Sequence, residues 1–256
     1  VIAKHSHFPK HTGWIDEARP LLSPPSTEPF VFLNVGANKG YELVSFLRRW
    51  APDHGPEVSA QGWHQLMRLN ATPPCRMLCC GICAACRSPR RRQPPPHAGA
   101  AASSGTVAAA HARFEMHAFE LLPSNAAMLT SLVTLSGIPA TVHALAVTNQ
   151  SGSRVWAEDS GRAGFEATGA LRNRGRRGAW VRTVALDDFI DAHAIRNVTF
   201  LSVDTEGWDG LVLRGAARAL SRRAVALVEF EYIRRMERVQ GPHALRSTVE
   251  WLGALG

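Results

Sequence analysis

The sequence predicts an α/β fold: a doubly wound, mostly parallel sheet with helices on both faces. Three observations predict it. Apolar, strand-like runs alternate with helix-like segments along most of the chain, the pattern of strands joined by crossover helices. The first run, Phe30-Val31-Phe32-Leu33, closes in a Gly-x-x-x-Gly turn, Val35 to Gly40, that opens a helix. The second, Glu115 to Glu120, ends in an acid. A strand that passes through glycines into a helix start is a nucleotide-cradling element. Glycine lets backbone approach a ligand closely, and the helix start offers unpaired N–H groups.

Residues 1–29 read as an irregular lead-in, with Pro20, Pro24, Pro25 and Pro29 opposing regular structure. Residues 30–36 read as a strand and 40–50 as a helix. Over 51–113 the pattern breaks: Pro52, Pro56, Pro73-Pro74, five cysteines, an arginine run and Pro94-Pro95-Pro96 follow one another. The part from about 87 to 110 is low in complexity and too poor in bulky apolar residues to order itself. Regular patterning resumes with the strand ending at Glu120. A helix follows from Pro123-Ser124-Asn125 to Leu135, stopped by Gly137 and Pro139. Strands are expected at 140–147, 153–157 and 179–185, and a short helix at Leu186-Asp187-Asp188-Phe189-Ile190. A strand is expected over Thr199–Asp204, a helix over Trp208–Leu220, a buried strand over Ala224–Glu231 and a last helix over 242–253. The reading is one domain, 30–256, interrupted at about 51–113.

The chain has 256 residues, 45% of them apolar, enough for one sizeable core. No stretch reaches the ~18 uninterrupted apolar residues of a membrane span. No apolar segment follows the N-terminal charge as a signal peptide requires, although the chain begins at Val1, so an upstream targeting segment stays open. The sequons at Asn70, Asn149 and Asn197 permit a secretory lumen, and a cytoplasmic location is equally open. Net charge is +8, but the arginines are local: Arg87, Arg90, Arg91 and Arg92 in one tract, and Arg172, Arg174, Arg176, Arg177 and Arg182 in another. Such runs read as solvated faces rather than nucleic-acid sites. A basic loop near a pocket also suits an acidic sugar, sulfate or phosphate.

The turn is not Gly-x-Gly-x-x-Gly, which disfavours a nicotinamide enzyme. It also lacks the Gly-Lys-Ser/Thr of a phosphate-binding loop, since Lys39 is followed by Gly40 and Tyr41. What remains is a turn typical of S-adenosylmethionine enzymes, or an ordinary strand-to-helix turn. In nucleotide-binding α/β folds an acid ~20 residues past the glycines grips the ribose. Glu120 lies 84 residues after Gly36, and removing the 63 residues of 51–113 leaves 21.

Four segments resemble one family in its own order: Leu33 to Gly40, Ala118 to Asn125, Thr183 to Phe189, and Leu201 to Asp209, followed by Val212-Leu213-Arg214-Gly215-Ala216. They resemble the FkbM-type methyltransferases. The resemblance covers about 30–55 and 114–256, and the Cys-rich insertion resembles that of algal members. It implies a Rossmann-like, class I methyltransferase that uses S-adenosylmethionine, commonly on a hydroxyl of a sugar, lipid or small metabolite. By position it implies cofactor contacts at Asn34, Gly36, Ala37, Asn38, Gly40, Glu120, Leu121, Asn125 and Ala146. Leu121 stands where the family usually has proline. The chain is also expected to stop before the family's last two strands.

Methyl transfer from a sulfonium to an alcohol needs alignment and a base. Asp204 and Glu206 lie just past a strand's C-terminal end, where open α/β sheets place ligands, and they are the candidate catalytic residues. The alternative is that Asp204 caps the next helix or the Gly207 turn. Asp204, Glu206, Asp209, Glu229 and Glu231 also suit a hard cation such as Mg²⁺. Asp187 and Asp188 read as a helix start. Cys79, Cys80, Cys83 and Cys86 have zinc-like spacing, with Cys75 alongside and His64 or His97 as further candidates. Disulfides or a reduced loop are the rival readings. The tryptophans read as core, with Trp208 after the acidic turn the exception, and His117 and His143 read as core histidines. The competing function is a non-catalytic binding module whose basic, Cys-rich insertion contacts a polyanion or protein partner.

Overall fold

Strand β1 (Phe30–Val35) is buried along its whole length and forms the centre of a parallel sheet. The computed structural model describes residues 28–50, 58–70, 114–158, 167–168 and 178–255. The main sheet has the order β3-β2-β1-β8-β9, with β2 at Phe114–Phe119, β3 at Ala140–His143, β8 at Phe200–Val203 and β9 at Val228–Phe230. Every pairing in it is parallel. This is the doubly wound α/β architecture that the alternating pattern predicts.

Alternation along the strands sends side chains to two apolar layers. Phe30, Phe32, Phe114, Met116 and Phe200 face α1 (Tyr41–Trp50), α2 (Ala60–Asn70) and α3 (Pro123–Ser136). The layer is aromatic, with Phe32 stacked on Phe46 at 4.3 Å and on Phe200 at 5.2 Å. Val31, Leu33, Val35, Leu201 and Val203 face the opposite layer. Its helices are α4 (Leu186–Ala192), α5 (Asp209–Arg214), α6 (Ala217–Ser221), α7 (Arg234–Gln240) and α8 (Ala244–Ala254). Helix α3 has proline in its first turn and ends in Gly137 at φ 65°, the N-terminal proline and C-terminal glycine that helices favour.

Several expectations need correcting. Helix α2 lies inside the block read as irregular. Trp63 and Met67 are fully buried in the core, and the Trp63 indole donates to the Lys39 carbonyl at 2.6 Å. Helix α2 therefore packs into the domain core, although its sequence lies within the stretch read as an interruption. Only two buried anchors mark α2 in sequence, too few to stand out beside Pro52 and Pro56. The strand expected at 140–147 is two strands. After β3 the Leu145 N–H turns back onto the His143 carbonyl, and β4 (Ala146–Thr148) enters a second sheet. That sheet has the order β4-β7-β5-β6, with β5 at Arg154–Glu158, β6 at Ala167–Thr168 and β7 at Gly178–Ala185. The helix expected over 208–220 breaks at Gly215, where a Cβ would meet the Thr148 carbonyl. Helix α7, unexpected from sequence, buries only Met236.

Candidate active site

The C-terminal ends of β1, β2, β8 and β9 converge on one rim. The glycine turn after β1 is tied to the end of β2: the N–H groups of Gly36 and Ala37 both donate to the Phe119 carbonyl, at 3.0 and 2.9 Å. One residue on, the buried Glu120 carboxylate receives the Asn38 N–H at 2.7 Å and the Leu122 N–H at 2.8 Å. Residues 82 apart in sequence thus share a hydrogen bond.

The turn glycines answer to protein contacts. Gly36 has φ 84°, and a Cβ there would run into the Asp204 carbonyl at the end of β8. Gly40 has φ 75° and lies against Leu129 and the Trp63 ring. Both positions therefore need glycine for the fold itself. Asn38, between them, also has positive φ, at 46°. Asn34 is fully buried at the end of β1, and its amide donates to Glu42 at 2.6 Å. The Ser202 hydroxyl donates to the same Glu42 oxygen at 2.7 Å, so α1 cross-links β1 and β8 beneath the rim. Sequence alone does not mark Glu42 for this role, because a lone acid in a helix's first turn is ordinary.

Leu121 and Ala146 pack with Leu122, Ala157 and Val181 in a small apolar cluster between the rim and the second sheet. Asn125 is buried in the first turn of α3. Several buried polar atoms here have no hydrogen-bond partner among the described residues: Asn34 Oδ1, Asn38 Oδ1, Asn125 Nδ2, Thr205 Oγ1 and Trp208 Nε1.

Beyond β8 the chain makes a tight turn, with Glu206 at φ 55° and Gly207 at φ 99°. Asp209, fully buried, clamps it by accepting the Thr205 N–H at 3.3 Å and the Gly207 N–H at 3.1 Å. Asp209 thus takes a turn-capping role of the kind that the sequence also allows for Asp204. Burial, then the neighbouring Asp204 charge, pushes the Asp209 carboxyl up to about 7. Asp187, placed in sequence at a helix start, accepts the Arg218 and Ala219 N–H groups of α6.

Asp204, Glu206 and Glu231 present carboxylate oxygens within 4.8 Å of one another. Glu231 hydrogen-bonds to Asp204. Burial first, then the charges of Asp204 and Glu206, raises the Glu231 carboxyl above the ordinary range. Of the five acids considered for a cation, these three come together. Asp209 is taken up by the turn, and Glu229 is buried within β9, level with Ser202. Cys75, Cys79, Cys80, Cys83 and Cys86, with the zinc and disulfide readings, lie outside the described residues, as does His97.

The family model described as the methyltransferase FkbM domain matches residues 97–255, more than half of the chain. Comparisons with curated proteins and with solved structures give no match. The glycine turn precedes the matched stretch in sequence, and the Phe119 and Glu120 hydrogen bonds join it to that stretch in space.

Proposed function

Because this chain belongs to the FkbM methyltransferase domain family, we propose that it transfers a methyl group from S-adenosylmethionine to a hydroxyl of a sugar, lipid or small-molecule acceptor. The observation that carries this reading is the meeting of Glu120 with the Asn38 N–H, one strand away from the Asp204–Glu206–Glu231 carboxylates. A donor subsite and a proton acceptor then share one rim.

Methyltransferases of this kind generally use S-adenosylmethionine, and the residues present fit it. The unpartnered Asn38, Asn125 and Thr205 atoms follow the ends of three adjacent strands, and buried polar groups of this sort are ordinarily satisfied. Glu120 would hold the ribose hydroxyls, with the Val35–Gly40 turn beside the methionine portion. Leu121 and Ala146 would offer apolar surface to the adenine. The bound donor supplies an electrophilic carbon; the chain supplies alignment and a base. Asp204 is the proposed base, and Glu206 anchors the acceptor. Glu231, whose carboxyl burial and the neighbouring charges push upward, positions Asp204 by a hydrogen bond.

Transfer of labelled methyl from S-adenosylmethionine to a panel of hydroxyl-bearing acceptors tests this. Asp204→Asn is expected to lower turnover by about 10²–10⁴-fold, the usual loss with a general base, while S-adenosylhomocysteine still binds. A folded protein that binds no S-adenosylhomocysteine in calorimetry refutes the reading.

A further inference from the structure

The outer face of the β5–β7 ribbon carries chemistry that methyl transfer does not use. The antiparallel register sets Arg154 opposite Arg182 and Trp156 opposite Trp180. Val155, Ala157 and Val181 point the other way, toward Leu121, Leu122 and Ala146. One face of two neighbouring strands therefore presents two guanidiniums and, two residues along, two indoles. Arg154 and Arg182 are both exposed, and neither has an ionic partner among the described residues. Trp180 is 54% exposed. Trp156 is half-buried, lies over Gly178, and meets the Trp180 ring edge-on at 5.6 Å and 71°.

Like charges directly opposite on a ribbon repel, and an exposed tryptophan beside them adds apolar surface that water does not favour. Both features are resolved together by a ligand that brings an anion to the guanidiniums and a flat apolar face to the indole.

We propose that this face binds an acidic oligosaccharide, a uronate chain, with one sugar ring stacked on Trp180 and a neighbouring carboxylate held between Arg154 and Arg182. Trp156, half-buried and set at a steep angle to Trp180, leaves Trp180 as the largely exposed indole of this face. The arginines' backbone positions stand two residues from the tryptophans along each strand, about 7 Å, and arginine takes a carboxylate in a two-point fork. A single-stranded nucleic acid calls for successive open aromatic faces, and a membrane surface for a wider apolar rim. As a docking face for the methyl acceptor the site rests on the hydroxyl-methylation reading; as a binding site it stands without it.

Calorimetry and tryptophan fluorescence on the whole chain with hexagalacturonate test it, alongside the methyl-esterified hexamer, phosphatidylserine vesicles and oligothymidylate. Hexagalacturonate is expected to bind and to change the fluorescence, the esterified form to bind at least about tenfold more weakly, and Trp180→Ala and Arg154→Ala each to weaken binding about tenfold. S-adenosylhomocysteine binding should be unchanged in both variants, which reports an intact fold. Hexagalacturonate binding that depends on Trp180 in a protein that binds no S-adenosylhomocysteine supports this site and removes the methyltransferase reading alone. The proposal is overturned if hexagalacturonate does not bind, if esterification or Trp180→Ala changes nothing, or if vesicles or oligothymidylate bind more tightly through Trp180.

Discussion

Glu120 shows how one side chain can serve fold and ligand together. Its two oxygens already receive the Asn38 and Leu122 N–H groups, so it fixes the turn that would cradle the donor. Glu120→Ala should weaken S-adenosylhomocysteine binding by about 1–3 kcal/mol, as for lost charged hydrogen bonds, and should also lower Tm. Glu120→Gln, which keeps one acceptor, should restore more of the Tm than of the affinity; calorimetry and thermal melts separate the two. The histidines read from sequence as core residues turn out to be paired. His117 and His143 are 3.1 Å apart through their ring nitrogens, and His117 also contacts Glu115 at 2.9 Å. Burial, then the neighbouring His117 and His193, lowers His143 from 6.5 to about 4, and burial lowers His117 as well. Above pH 6.5 His143 is neutral whether folded or not. Between 6.5 and about 4 the unfolded chain takes up a proton that the folded one refuses, so stability falls as the pH falls through that window. The loss should be about 1–2 kcal/mol once solvent screening is allowed for, and His143→Gln should flatten the dependence of Tm on pH.

At the scale of elements, the turn after β8 and the helix α2 each depend on partners distant in sequence. Glu206 and Gly207 hold positive φ because Asp209 receives the turn's N–H groups and the Gln240 amide donates to the Gly207 carbonyl. The unpredicted helix α7 therefore supports the acidic turn from outside. Helix α2 is anchored by Trp63, which lies under Gly40 and donates to the Lys39 carbonyl. Trp63→Ala should destabilise the protein by about 3–5 kcal/mol, as for other large aromatic deletions in cores, read from denaturant midpoints. A Trp63→Ala protein of unchanged stability would remove α2 from the core. Because the same indole backs the glycine turn, donor affinity should fall with stability.

At the scale of the molecule, the two layers close over a sheet whose strand ends form the candidate site. The order β3-β2-β1-β8-β9 sets the glycine turn between Glu120 on one side and Asp204 on the other. β9 then adds Glu231, whose N–H donates to the Val203 carbonyl beside Asp204. The second sheet turns one face to Leu121 and Leu122, and its opposite face carries Arg154, Trp156, Trp180 and Arg182. No helix among the described residues is long and apolar enough to cross a membrane.

Local pattern was enough for what depends on neighbours in sequence: the strand–turn–helix entrance, α3 between Pro123 and Gly137, the acids at strand ends, and the alternation that makes a parallel sheet. Those features follow from side-chain periodicity and backbone preference, which any window of the chain displays. Tertiary structure alone decided what depends on approach between distant segments. It placed the Asp204 carbonyl against Gly36, gave a turn clamp to Asp209, raised the Glu231 carboxyl through burial beside two carboxylates, and brought α2 into the core. It also set Arg154 against Arg182. Composition carries no record of such distances, and charge, desolvation and close packing act only once the strands have chosen their neighbours.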